Sequence, residues 1–189
     1  MEDIKKELKK LISKYYPDKN KKDISEADIQ ANYIDKLFLI LGWNIYNTLG
    51  EDNRCNREKY IRPMTPFDKA GFVDIGLELG GKPVIFIETK RFGKILPKKD
   101  RQEKHIDRTS DEKQAIRYAR SYGIPWAILT NFEHLYLFNV NEERLILAFD
   151  SPSEYLERLD DLLLLSKDKV KTDTLSWWQS QLHKEEIEF

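Results

Sequence analysis

Cysteine is nearly absent: Cys55 is the single one in 189 residues. That excludes an internal disulfide and a cysteine-based zinc site, and it favours a reducing compartment. Net charge is nearly absent too. The 32 Lys+Arg and 33 Asp+Glu leave a formal charge of -1. No global field draws the chain toward nucleic acid, so any such affinity must come from a local patch. No apolar run approaches the roughly 20 residues of a membrane span. The opening MEDIKKELKKLISKYY is amphipathic and acid-containing, without the apolar region of a signal peptide. These absences predict a cytoplasmic protein with no membrane partner. Repeats and low-complexity tracts are missing, and so is a P-loop of the form GxxxxGK(S/T), so no motor of that kind is present. What remains is enough chain for one domain with an ordinary core. Charged residues make up 34% of it, which gives a heavily charged surface.

Apolar spacing lays out the elements. Ile4, Leu8, Leu11, Ile12 and Tyr15 recur at helical intervals over residues 3–16, and Pro17 with DKNKK breaks the pattern. A second helix starts near Asp23, where Asp23 and Glu26 have capping-box spacing, and stops at Gly42. Its buried stripe is Ile29, Tyr33, Leu37, Ile40 and Leu41. Residues 44–71 read as a long polar loop with at most one edge strand. A hairpin follows, with strands 72–79 and 83–91 around Gly80 and Gly81. Residues 92–109 form a basic loop, and 111–122 a helix ending at Gly123. IPWAILT (124–130), HLYLFNV and LILAFD read as strands, and about 153–165 as a last helix. This order predicts an α/β fold, a mixed central β-sheet flanked by helices on both faces. Trp43 and Trp126 belong in its core. Trp177 and Trp178 near EEIEF suggest a tail that docks on a partner or continues into a longer protein; a cover packed on the domain's own core fits them equally well.

The hairpin carries the chemistry. A three-residue loop of Gly80, Gly81 and Lys82 pairs Leu79 with Pro83. It then places Asp74 opposite Glu88, with Cβ atoms about 5 Å apart, Gly76 opposite Phe86, and Phe72 opposite Lys90. The other face collects Val73, Ile75, Leu77, Ile85 and Ile87. A two-residue loop would shift the register by one and put the two carboxylates on opposite faces. Two carboxylates this close repel unless a cation lies between them, and a hard divalent ion such as magnesium suits oxygen ligands. Lys90, on the same face, could orient or deprotonate a water, or balance charge on a phosphate. Metal-assisted phosphodiester hydrolysis needs this layout. A solvated surface face with a cross-strand salt bridge is the plainer reading. The apolar character of 84–91 on both faces speaks against it.

Asp74, thirteen residues, then Glu88-Thr89-Lys90 resembles the D…(D/E)-x-K signature of the PD-(D/E)XK nucleases, with Val73 in place of the usual proline. SEADIQANYIDKLFLILGW (25–43) looks like the acidic-residue helix that opens the nuclease domains of Type I restriction R subunits and Type IIG restriction enzymes. EKQAIRYAR (112–120) is similar to the Q-x-x-x-Y motif of the RecB-like branch, and GIPWAILTNFEHLYLFNV (123–140) to the strand–turn–strand that follows. The resemblance spans about residues 23–140 and fits Type I and Type IIG alike. It implies a restriction-endonuclease-like core over 23–150, an N-terminal helix and linker over 1–22, and a C-terminal helix and tail over 151–189. It implies Mg2+, with Mn2+ as a substitute, and double-stranded DNA as substrate. Asp74 and Glu88 would be metal ligands, the Thr89 carbonyl a third, and Lys90 the catalytic lysine. Glu26 would be the acidic residue reaching the site from the first core helix. Gln114 and Tyr118 would support the site or contact DNA, with Gln114 in a first helical turn suited to phosphate.

Glu26 has two competing duties, since capping bonds would turn it back to the Asp23 amide. Arg91, Lys94, Lys98, Lys99, Arg101, Lys104 and Arg108 follow the Glu-x-Lys strand and should border the site, where they would bind the DNA backbone irrespective of sequence. His105 in that loop reads as solvated. No sequence-reading element is recognisable. Control by other domains or subunits is therefore implied: a helicase motor with methyltransferase and specificity subunits, or a fused methyltransferase. A dimer on DNA is one way to cut both strands. Two other classes remain: a binding module on this fold with its metal site unused, and an interaction domain with a fortuitous hairpin.

Overall fold

The computed structural model describes residues 1–20, 23–47, 55–61, 71–95 and 109–171, of which 55–61, 71, 72 and 171 are described as backbone alone. Helix α1 (Glu2–Asp18) buries Leu8, Leu11, Ile12 and Tyr15. It runs through Pro17, one residue short of its end, where a missing amide costs a single helical bond.

Ser25, not Asp23, caps the next helix. Its hydroxyl accepts from the Asp28 amide at 3.1 Å, and the Asp28 carboxylate accepts from the Ser25 amide at 3.1 Å. Only the residue three places beyond the cap reaches back this way. With the cap at Ser25 that residue is Asp28, so Glu26 is released from the duty expected of it. Helix α2 (Glu26–Ile29) widens into a π turn (Gln30–Ile34) and resumes as α3 (Asp35–Ile40). Gly42 ends it at φ +87, with Trp43 N–H donating to the Phe38 carbonyl and Gly42 N–H to that of Leu39. This pair of bonds needs a left-handed residue, hence glycine.

The strands are β1 (Cys55–Ile61), β2 (Gly71–Leu79), β3 (Lys82–Thr89), β4 (Trp126–Thr130), β5 (Leu135–Asn139) and β6 (Arg144–Phe149), paired in that order. Every pairing is antiparallel except β3 with β4. The sheet is mixed, as expected, and β1 is the edge strand within the segment read as a loop. The hairpin turn differs from expectation. Leu79 pairs with Lys82 across the two-residue turn Gly80-Gly81, and an irregularity at Leu77/Glu78 then shifts the register by one. Gly76 still faces Phe86 and Ile75 faces Ile87. An extra residue in one strand does what a longer loop would have done.

Helix α4 (Ser110–Ser121) covers one face of the sheet, in a cluster holding Phe86, Ala115, Ile116, Ala119, Ala127, Leu129 and Phe138. The other face packs Ile75, Leu77, Ile85, Ile87, Trp126 and Ile128 against α1, α2 and α3. Alternation sorts β4 cleanly: Trp126 and Ile128 one way, Ala127 and Leu129 the other. Val73, expected beside Ile75, belongs instead to the α4-side cluster, which also holds Ile95. Trp43 and Trp126 are both buried.

The last helix is three short ones, α5 (Glu154–Glu157), α6 (Leu159–Leu163) and α7 (Lys167–Lys171). Arg158 breaks the run at φ -119, ψ 47. Its guanidinium donates to the Ala148 carbonyl at 2.7 Å and to Asp161 at 2.9 Å, tying the break to β6. Tyr155, Leu159, Leu162, Leu165 and Val170 join the same core as α1. Two bonds fasten this segment to the end of α3: Trp43 Nε1 donates to the Leu165 carbonyl at 2.8 Å, and the Lys167 amide to the Leu41 carbonyl at 2.9 Å. Trp43→Phe keeps an aromatic ring but loses part of the indole's volume and strands a buried carbonyl. It should lower unfolding stability by about 1–3 kcal/mol, read from a denaturant melt.

Candidate active site

Strands β2 and β3 pair as far as Ile75↔Ile87. Beyond that rung the carboxylate of Asp74 takes over from the backbone. Its Oδ2 accepts from the Thr89 amide at 2.7 Å and from the Thr89 hydroxyl at 2.8 Å. The rung expected between Phe72 and Lys90 is absent from the pairing. The Lys90 amide instead donates to the Thr130 carbonyl at 3.0 Å, extending the parallel ladder with β4 by one bond.

Glu88 is 4% exposed. Its Oε1 accepts from Lys90 Nζ and, at 2.7 Å, from Gln114 Nε2. The same Gln114 nitrogen lies 3.3 Å from the Tyr118 hydroxyl. Gln114 stands in the second turn of α4, whose N-cap is Thr109. It therefore grips a carboxylate, and the first-turn phosphate position expected for it is not where it sits. Glu88 Oε2 is buried with no hydrogen-bond partner. Among the described residues, then, the bonds to each carboxylate converge on one oxygen, Asp74 Oδ2 and Glu88 Oε1.

Burial pushes the Glu88 carboxyl up to about 7, with the neighbouring Asp74 and Glu26 charges adding to it and Lys90 opposing. Burial also works against the Lys90 ammonium, but the charges of Glu88, Glu26 and Asp74 outweigh it and raise its pKa. The two shifts differ in their leading cause, burial for Glu88 and the surrounding carboxylates for Lys90. Glu26 is half-buried and close enough to act on both groups. The structure thus brings Asp74, Glu88, Thr89, Lys90, Gln114 and Tyr118 together, with Glu26 in electrostatic reach. Among the described residues no group of three or more His, Cys, Asp or Glu side chains is gathered closely enough to hold a metal ion. The acidic pair stands without a third such ligand. Arg91 and Lys94 are exposed just past β3. Lys98, Lys99, Arg101, Lys104, His105 and Arg108 lie outside the described residues, as do Trp177 and Trp178.

Sequence reasoning missed the turn that holds the exit of β3. Between β4 and β5, Asn131 Nδ2 donates to the Arg91 carbonyl at 3.2 Å and to Glu133 Oε2 at 3.1 Å. That Glu133 oxygen also accepts from the Gly93 amide, while Oε1 accepts from the Tyr15 hydroxyl at 2.7 Å. Phe132 supports the turn with φ +70 and a fully buried ring packed on Tyr15, Tyr33 and Tyr155. The Leu-Thr-Asn string was visible, but only the fold shows that it clasps residues 90–93.

Glu88 gives a pH test. A carboxyl whose folded pKa lies above its unfolded value favours the folded state below the unfolded pKa. That advantage is lost as pH rises through the folded value. Glu88→Gln removes the titration. Its stability relative to the parent should climb by roughly 3 kcal/mol between pH 4.5 and pH 8 and then level off. Paired denaturant melts across that range measure it, and a flat difference would contradict the shift.

No protein-family model and no curated protein matches the chain. Among solved structures, the chain is similar to one described as a fragment of an HsdR subunit of a type I restriction enzyme from Vibrio vulnificus YJ016. The two share 18% identity at a TM-score of 0.46, over 73% of this chain and 26% of that one. The chain thus spans about a quarter of that solved chain's length.

Proposed function

We propose that this chain is the nuclease domain of a restriction enzyme, a Mg2+-dependent endonuclease that hydrolyses phosphodiester bonds in double-stranded DNA. The observation that carries this reading is Glu88 itself. It is a buried carboxylate with one oxygen committed to Lys90 and Gln114 and the other unpartnered, beside Asp74, whose own bonds fall on Oδ2. Oxygen donors of this kind fit a hard divalent cation, Mg2+ or Mn2+. Asp74 Oδ1, Glu88 Oε2 and the Thr89 carbonyl would hold it. When bound, such an ion polarises the scissile phosphate and makes a water more acidic.

The remaining chemistry belongs to the chain. Lys90, kept as an ammonium by the surrounding carboxylates, offsets charge on the phosphate and holds the attacking water. Gln114 orients Glu88, and Tyr118 orients Gln114. Glu26 adds negative charge that keeps Lys90 protonated. Arg91 and Lys94, with Lys98, Lys99, Arg101, Lys104 and Arg108, contact the DNA backbone without reading sequence. Residues 23–150 would be the nuclease core, with 1–22 leading into it and 151–189 connecting or docking it to methyltransferase, specificity or helicase partners in the cytoplasm. The pair of carboxylates, two rather than three, is the feature favouring a second reading: a DNA-binding module with a silent site.

A plasmid-nicking assay separates the two. Nicking should require Mg2+ and fall by at least about 100-fold in Lys90→Ala, with DNA affinity nearly unchanged. Salt-dependent binding without nicking would favour the silent module. Replacing Lys98, Lys99 and Arg101 by Glu should weaken binding on all sequences alike and flatten its salt dependence, measured by fluorescence anisotropy at several salt concentrations.

A further inference from the structure

We propose that the Thr89 hydroxyl is a positioning group that decides which oxygen of Asp74 is offered to a divalent cation. The inference rests on the cation reading of this site and adds a side chain to it. Thr89 is 1% exposed. Its amide and its hydroxyl converge on the same carboxylate oxygen, Asp74 Oδ2, at 2.7 and 2.8 Å. Two donors on one oxygen lock the rotation of the carboxylate, and among the described residues both bonds to Asp74 fall on Oδ2 rather than Oδ1. Gln114 and Lys90 do the same to Glu88 by occupying Oε1 and leaving Oε2 bare.

The amide alone would not do this. It is a single donor at the point where the β2–β3 ladder ends, and a carboxylate can swing about one bond. The hydroxyl adds a second direction, so the carboxylate plane is set before any cation arrives. Outer-shell bonds of this sort fix ligand orientation and are typically worth 10–100-fold in metal affinity. A purely structural role predicts otherwise: losing the hydroxyl would weaken the fold and leave cation affinity unmoved.

Thr89→Val is nearly isosteric and removes only the hydroxyl. Calorimetric titration of the DNA-free protein with Mn2+ and Mg2+ should show affinity about 10-fold weaker than the parent. Thr89→Ser, which restores the donor, should bind within about twofold of the parent. Thr89→Ala replaces Thr89→Val if the latter does not fold, as judged by circular dichroism. Parent-like affinity in Thr89→Val or Thr89→Ala overturns the proposal, as does a Thr89→Ser variant as weak as either. Asp74→Asn is the control that removes the ligand itself. If the parent binds neither cation, the metal reading fails along with the inference. If the parent binds and Asp74→Asn does not, only the role of Thr89 is at stake.

Discussion

A carboxylate can be taken out of water inside a sheet only if something else holds its charge. Glu88 is where this chain meets that constraint, and much of the surrounding geometry answers it. Lys90 stands two residues on, along the same strand face. Gln114 reaches down from the helix that covers that face. The ladder between β2 and β3 stops one rung short of Asp74, which turns its side chain to the backbone of Thr89. The result is a small polar cluster at the end of β3, on the sheet face that also carries Phe86 and Leu129. Its proton inventory is set by burial and by mutual repulsion of the acids.

Alternation and charge made the core of this site readable in advance. Glu88 and Lys90 share a face by the period of two alone and meet there, whereas Asp74 bonds Thr89, the residue between them. The hairpin turn was misread, yet Gly76 still faces Phe86 as expected, while the rungs expected beyond Ile75 and Ile87 are not in the ladder. The pattern of side chains constrains pairing far more tightly than the count of turn residues does, and an extra residue in one strand absorbs the discrepancy. The helix cap was misread for a related reason. Asp23 and Ser25 are both good capping residues with an acid three places on, so the local pattern does not choose between them.

Long-range bonds were the illegible part. Nothing local in Glu133 says that its two oxygens join three separate segments. Tyr15 looks like any aromatic at helical spacing until its hydroxyl is seen on that carboxylate. The break at Arg158 depends on the Ala148 carbonyl of β6, which no local pattern in 153–165 reveals. Such contacts are decided by which surfaces the fold brings together, and a one-dimensional pattern carries little of that information.

The π turn at Gln30–Ile34 has a consequence of its own. One residue inserted into a helix rotates everything beyond it by about 100° relative to an unbroken spiral. Glu26 and Leu37 sit on either side of that insertion, so the helix need not offer a single continuous stripe. Its leading end carries Glu26 toward Glu88 and Lys90 while its trailing end faces the apolar layer under the sheet. A straight α-helix would have had to compromise between the two orientations.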